Sequence, residues 1–172
     1  MQQHAGDALK DEWLHRAFGR FEAPLTVYAA RITRDLERAR DVVQDTFLRL
    51  IGEQRETVEP YLAEWLYTVC RNKALDIRRK EKRMTALSDV GAGQQAALLP
   101  LPPESAERAD THARALHYLS HLSDNQQEVI RLKFQHGLSY KEISTITRLS
   151  VSNVGFLIHT GLKILRERLD AD

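Results

Sequence analysis

Residues 60–83 read PYLAEWLYTVCRNKALDIRRKEKR, a stretch that begins apolar and aromatic and ends densely basic. Leu62, Trp65, Leu66 and Val69 recur at helical spacing, so one stripe of a helix can pack against a core. Pro60 suits a first helical turn, where its missing N–H leaves no bond unmade. From Arg71 to Arg83 there are seven Lys or Arg against Asp76 and Glu81. A helix anchored at one end and cationic at the other suits a polyanion. A surface helix solvated by its own charges gives the same string. The neighbouring segments have to decide between the two.

Upstream, GEQRETVE at residues 52–59 is polar and aperiodic and is expected to be a loop. Before it, Asp35 to Ile51 reads as a helix with Val43, Phe47, Leu50 and Ile51 inward, closed by Gly52. Pro24 opens a helix to about Thr33 with Leu25, Tyr28 and Ile32 on one side. Asp7 to Phe21 carries Leu9, Trp13, Ala17 and Phe21, an i, i+4 ladder. No segment sustains a period of two. The fold class expected is therefore all-α, with about four helices in this half.

Downstream, TALSDVGAGQQAALLPLPP at residues 85–103 has two glycines, three prolines and no Lys or Arg. It reads as a flexible linker. Fully extended it spans about 63 Å, the rise of roughly 18 base pairs. Such a span either lets two domains touch DNA more than one helical turn apart or is an ordinary tether. Helix resumes from Glu104 to His121. Ser123 to Gln126 is a capping-box pattern opening a helix with Val129, Ile130 and Phe134 that ends near Gly137. Ser139 to Glu142 is a second, opening a short helix with Ile143 and Ile146 inside. After Arg148 and Leu149, Ser150 is the N-cap of a last long helix to about Leu169, with Val154, Leu157, Ile158 and Leu165 as its buried stripe. The division expected is a domain at 1–84, a linker at 85–103 and a domain at 104–172.

A short helix, a tight turn and a longer helix make a helix-turn-helix, which puts the start of its second helix into the major groove. That start displays Ser152, Asn153 and Phe156, then His159 and Lys163. Asn can pair with adenine through two hydrogen bonds, and Ser can bond bases or phosphates. The helix N-terminus also favours a phosphate. A plain helical hairpin yields a similar string.

Overall charge is nearly balanced at +1, so the basic end of residues 60–83 is a local concentration. The single cysteine, Cys70, rules out an internal disulfide and a multi-Cys zinc cluster, and reads as a small core residue. The N-terminal MQQHAGDALKDEW holds no apolar signal segment, and no run approaches a spanning helix, so a cytoplasmic protein is expected. His112, His117 and His121 lie close in sequence, and the last two are i, i+4, a spacing that can hold zinc. With no HExxH, fitting carboxylate or Cys ligands, they read as surface or interhelix residues. There is no Walker loop and no dinucleotide fingerprint. No enzyme, no cofactor and no metal are expected.

LSDNQQEVIRLKFQHGLSYKEISTI (122–146) resembles the opening of domain 4 of a bacterial sigma factor. ARDVVQDTFLRL (39–50) resembles the core-binding helix of sigma domain 2, and residues 60–83 resemble the promoter −10 segment of that domain. Two domains and a short linker are the layout of the extracytoplasmic-function (ECF) subfamily. The resemblance implies sigma domain 2 as a four-helix bundle and sigma domain 4 as a helix-turn-helix. It implies a transcription initiation factor that lends promoter specificity to RNA polymerase and does no bond chemistry. Asp41, Val42, Gln44, Asp45 and Leu48 would bind the clamp helices of the core enzyme, with the flap as a second contact. Residues 52–59 and Asn72 would hold the unpaired −10 strand, with Arg71, Lys73, Arg78, Arg79 and Lys82 neutralising phosphates. Trp65, two helical turns before Asn72, shares its face and is read as packing more than as a stacking platform. Ser150, Ser152, Asn153, Phe156, His159 and Lys163 would meet the −35 element.

ECF sigma factors are usually held by an anti-sigma factor, a further partner the resemblance implies. The last helix departs from the family pattern. Gly155, Leu157, Thr160 and Leu162 stand where many members carry basic residues, and Arg148 stands in place of a turn glycine. Fewer phosphate contacts, or a different use of Ser152, Asn153, Phe156 and His159, follow from that. Gly155 and Gly161 also lower local helix propensity. A stand-alone helix-turn-helix regulator is the alternative, and it leaves residues 39–50 and the basic helix without a role.

Overall fold

A computed structural model describes residues 2–87 and 117–170, with side chains described for 9–85 and 117–170. Every regular element among the described residues is helical. The chain divides into two compact units, Met1–Leu99 and Pro100–Asp172.

The first unit is built from α1 (Gln2–Thr33), α2 (Leu36–Gly52), the short α3 (Arg55–Val58), a 3-10 turn (Glu59–Tyr61) and α4 (Leu62–Leu87). There are four α-helices, but not the four expected. The two helices read on either side of Pro24 are one, with Pro24 inside it. Trp13, Ala17, Phe21, Leu25 and Tyr28 are all buried, and their stripe passes Pro24 without a change of phase. An interior proline costs about 3 kcal/mol because the i−4 carbonyl, here that of Arg20, loses its donor. Burying Leu25 and Tyr28 on the same face offsets that, at roughly 1.5–3 kcal/mol for each such side chain. Leu9, placed in the ladder by spacing, is 57% exposed, so the packed stripe starts at Trp13.

Arg34 turns α1 into α2 with a left-handed φ of 59°, its N–H donating to the Ala30 carbonyl at 2.8 Å. Asp35 then caps α2 by accepting from the Arg38 N–H at 3.0 Å. Inside α2, Ala39, Val42, Val43, Thr46, Phe47 and Leu50 are buried. Ile51, expected inward, is exposed: the α1 residue beside its backbone is Lys10, whose Nζ donates to the Ile51 carbonyl at 2.9 Å. Residues 52–59, expected as a loop, hold α3, with Val58 buried and Arg55 gripping Glu59 through two bonds of 2.8 and 2.9 Å. That pair raises the guanidinium and lowers the carboxyl from their ordinary values. Four residues are too few to show a helical period, which is why the stretch reads as aperiodic.

Pro60 lies in the 3-10 turn before α4. The packed face of α4 is Leu66, Tyr67, Cys70 and Ala74, while Leu62, Trp65 and Val69 are half-buried at its edge. Tyr67 meets Tyr28 edge-on, with ring centroids 5.3 Å apart. Cys70 is a core residue as expected, its Sγ 3.9 Å from the Leu25 carbonyl, and burial pushes its thiol up to about 12. The helix runs on to Leu87, past the boundary expected at residue 84. The rest of the linker, the start of the following helix and His112 lie outside the described residues.

In the second unit residues 117–119 are helical, followed by α5 (Asp124–Phe134), α6 (Tyr140–Thr147) and α7 (Val151–Leu169). Both capping boxes form. Ser123 Oγ accepts from the Gln126 N–H at 3.3 Å while Gln126 Oε1 accepts from the Ser123 N–H at 3.1 Å. Ser139 and Glu142 exchange the same bonds at 3.2 and 2.7 Å. The core joins Val129, Ile130, Leu132, Leu138, Ile143, Ile146, Val154 and Ile158. Phe134, read with the inward residues of α5, is 60% exposed. Gly137, at φ 68°, turns the chain so that Leu138 fills the core instead, its N–H donating to the Leu132 carbonyl at 3.1 Å. In α7, Val154 and Ile158 are buried, Leu157 and Leu165 only half so. Gly161 is buried against α5, where a Cβ would lie 2.7 Å from Ile130 Cδ1 and would require that side chain to shift.

Candidate functional site

The turn between α6 and α7 is Arg148, Leu149 and Ser150. Arg148 holds φ 62° and ψ 22°, a left-handed conformation that costs a non-glycine residue roughly 1–2 kcal/mol. Neighbouring hydroxyls hold it: Ser144 Oγ donates to the Leu149 carbonyl at 2.6 Å, and Thr147 Oγ1 accepts from the Leu149 N–H at 3.4 Å. Ser150 Oγ accepts from the Asn153 N–H at 3.1 Å and so starts α7. Its own O–H remains a donor at the helix entrance.

Val154, Ile158 and Gly161 fix which side of α7 faces the core. Ser152, Phe156, His159 and Lys163 follow one another at i+4, i+3 and i+4 on the opposite side, and all are exposed. Asn153 flanks this row and is exposed too. Phe156 is 64% exposed, which is unusual for an aromatic ring on a helix otherwise packed into its domain. From Val151 to Leu162 the helix carries no Lys or Arg. Lys163 lies 3.9 Å from Glu167.

The gap left by Gly155 is used. The Tyr140 ring passes 3.5 Å from where a Cβ would stand, and Lys133 Nζ sits 5.4 Å from the centre of that ring. A cation is thus held beside a helix whose own first half has none. The sequence reading missed this pair, since Lys133 and Tyr140 fall on two helices separated by the Gly137 turn and no single period links them.

In the first unit, Asp41, Gln44, Asp45 and Leu48 are exposed along α2, Leu48 at 59%. Val42 is not: it is wholly buried, and it belongs to the core rather than to a surface a partner can touch. Its reading as a contact residue is corrected by the helical period, which puts it one turn before Thr46 on the inner face. On α4, Asn72 and Trp65 are both half-buried on one side, while Arg71 and Arg78 are half-buried and Lys73, Arg79 and Lys82 exposed. Two of these cations, Lys73 and Arg79, pair within the unit, and a third pair joins α2 to α4. Lys73 Nζ lies 2.8 Å from Asp45, Arg79 lies 3.0 Å from Asp76, and Arg38 of α2 pairs with Glu81 of α4. The first pair joins two residues that sequence reading assigned to different partners.

His117 and His121 are exposed, with ring centroids 4.9 Å apart. Among the described residues no group of three or more His, Cys, Asp or Glu is placed to hold a metal. No described helix is long and apolar enough to cross a membrane.

Two segments therefore carry the candidate interfaces, the α2–α4 surface and the α6–α7 unit. The family model "Sigma-70 region 2" matches residues 17–84, and "Sigma-70, region 4" matches residues 112–165. The ECF RNA polymerase sigma factor SigM of Bacillus subtilis is 31% identical over 142 residues, covering 80% of this chain and 85% of its own. The chain belongs to the ECF RNA polymerase sigma factors. SigL of Mycobacterium tuberculosis, another ECF sigma factor, is 30% identical over 176 residues, 96% of this chain and 94% of that one. The fold is also that of the sigma factor RpoE in its complex with the anti-sigma factor NepR from Bartonella quintana. That likeness has a TM-score of 0.68 at 23% identity, over 92% of this chain and 97% of the other. As an ECF sigma factor the protein is a transcription initiation factor, whose partners are core RNA polymerase and promoter DNA. A stand-alone helix-turn-helix regulator is not favoured, because both regions match in order on one chain.

Proposed function

We propose that the two candidate surfaces divide the work of promoter-specific initiation. The exposed row of α2, Asp41, Gln44, Asp45 and Leu48, docks on the clamp helices of core polymerase, with acidic and amide groups around an apolar residue. Asn72 reads a base of the −10 strand as it opens, while Arg71, Lys73, Arg78, Arg79 and Lys82 neutralise its backbone. The exposed face of α7, with Ser150, Ser152, Asn153, Phe156, His159 and Lys163, meets the −35 element, and the second unit contacts the flap. The protein works in the cytoplasm beside the polymerase, performs no bond chemistry and needs no cofactor. Its contribution is a shift of the closed–open equilibrium through binding. An anti-sigma factor is the third partner class, and a co-transcribed membrane protein with a short cytoplasmic domain would identify it.

The observation that supports this reading is the outward row on α7, opposite the buried stripe and behind a well-capped turn. In vitro transcription with core polymerase and a pool of genomic promoter fragments tests it. Start sites that depend on the protein are expected, and their absence sinks the reading. Within that assay, Asn72→Ala should impair promoter opening more than polymerase binding. Charge reversal at Asp45 should do the opposite. Equal loss of both activities from Asn72→Ala would make that side chain structural instead.

A further inference from the structure

We propose that Phe156 is a specificity-determining residue that reads thymine through its C5-methyl group. With Asn153 beside it, it directs the protein to an upstream promoter element rich in A·T pairs where α7 enters the groove. The inference rests on the reading of α7 as the helix that meets the −35 element.

The Phe156 ring lies outside the core of its domain. Phe156 lies two residues from both Val154 and Ile158, the most buried side chains of α7, and so points about 200° away from each. Its exposure of 64% leaves most of an apolar ring in water. A phosphate gains nothing from such a ring. In the major groove the apolar feature presented by a base pair is the thymine methyl, and Phe is among the side chains that contact it.

The neighbours narrow the choice further. Guanine is most often read by Arg or Lys reaching O6 and N7 together. Residues 151–162 offer neither. Lys163, more than two helical turns beyond the start of α7, lies outside the N-terminal half that meets bases. Lys133, the cation held beside α7, is occupied over the Tyr140 ring on the Gly155 side, about 100° around the helix from Phe156. What remains in that half of the outer face is one amide, Asn153, one apolar ring, Phe156, the imidazole of His159 and the small hydroxyl of Ser152. An amide matches adenine N6 and N7, and the ring matches thymine, so Asn153 and Phe156 together favour A·T pairs.

The test uses the full chain with core RNA polymerase on promoters whose upstream element is randomised, read by sequencing the transcripts. The preferred element is then rebuilt with single thymines replaced by deoxyuridine, which removes only the methyl group. Wild-type protein is expected to select A·T pairs and to lose about fourfold in initiation at one or two uracil positions, the worth of one buried methyl. Phe156→Ala should lose that sensitivity, and its exposed position makes the variant safe for folding. A preferred element with G·C pairs throughout, or indifference to uracil in the wild type, overturns the inference and leaves the sigma-factor reading intact. If Phe156→Ala keeps the uracil sensitivity while weakening assembly with core polymerase, or while shifting the protein's own association state, the ring serves a protein contact and the inference falls. A library in which no transcript depends on the protein overturns the underlying reading and the inference with it.

Discussion

In α4 two of the cations are met by carboxylates of their own unit, Lys73 by Asp45 across to α2 and Arg79 by Asp76 one turn back, while Glu81 of α4 pairs with Arg38 of α2. In α7 residues 151–162 carry no Lys, Arg, Asp or Glu, and the outer row is built from Ser152, Phe156 and His159 before the first cation at Lys163. Both helices pack one side into a domain and turn the other outward. They differ in what the outward side can recognise. A cationic surface binds any polyanion, and its grip fades with salt as counterions return. A neutral surface with an amide and a ring has little long-range attraction but discriminates between bases. On the proposed roles, promoter choice by α7 would depend on close fit, whereas capture of a strand by α4 would depend on charge.

Close fit in the second unit is set by Gly161, and breaking it should give the largest effect. In Gly161→Val the Cβ alone would stand 2.7 Å from Ile130 Cδ1 and 3.5 Å from Leu122 Cδ1. Overpacking of this kind costs typically 1–3 kcal/mol, and the better helix propensity of Val returns only a few tenths. A net loss of about 2 kcal/mol is expected, measured as faster hydrogen exchange at the amides of α5 and α7. Unchanged protection would mean that Ile130 can swing aside and that the approach of the two helices is not set by this glycine.

The turn should respond in the other direction. Arg148 holds φ 62° against its own Cβ, and glycine removes that strain. Arg148→Gly is expected to stabilise the second unit by about 1 kcal/mol, less the small loss from a more flexible unfolded chain. A rise in thermal midpoint checks it. A fall would show that the guanidinium contributes more to the turn than the backbone strain removes.

Local hydrogen-bond chemistry made much of this fold legible in advance. Ser123, Ser139 and Ser150 were readable as caps because a cap is written within four residues, and the stripes Val129–Ile130, Ile143–Ile146 and Val154–Ile158 because burial follows the helical period. Failures came where tertiary context outweighs local preference. Pro24 reads as a helix start, yet the phase-matched stripe through Phe21, Leu25 and Tyr28 keeps α1 whole. Gly161 reads as weak helix, yet it is a packing contact with another helix. The site was partly legible: the exposed row of α7 follows from spacing alone. Val42 was misread because a resemblance over a run of residues does not say which of them face outward. The Asp45–Lys73 and Lys133–Tyr140 pairs were invisible, since each joins different helices.

The contrast in charge can be sharpened by giving α7 what it lacks. A Cβ at Gly155 would touch Tyr140 at 3.5 Å, an ordinary contact, so Gly155→Arg should be accommodated. It should also firm the helix, since Gly is about 1 kcal/mol poorer than a good helix former. If the new cation reaches a phosphate, the salt dependence of promoter binding steepens by about one unit of slope in log K against log salt. Binding by the holoenzyme at several salt concentrations measures it. No change in slope would place residue 155 away from the DNA backbone and remove the reason for calling this face of α7 under-charged.

The smallest effect tests the first unit, and it bears most directly on how the two proposed surfaces communicate. Asp45 and Lys73 are each 49% exposed at the side chain and lie 2.8 Å apart, so the pair is an ordinary surface ion pair. Such pairs contribute roughly 0.2–1 kcal/mol. A double-mutant cycle with Asp45→Asn and Lys73→Gln should return a coupling in that range for folding, falling as salt rises. The same cycle on promoter binding separates two cases. If Asp45 leaves Lys73 when it docks on polymerase, Lys73→Gln weakens DNA binding by the holoenzyme, while its coupling to Asp45 disappears in the complex. If the pair persists, the coupling measured in the holoenzyme equals that in the free protein. The first outcome would make the internal carboxylate a partner that polymerase displaces, freeing Lys73 for the strand. The second would make Lys73 a brace between α2 and α4, leaving phosphate neutralisation to Arg78, Arg79 and Lys82.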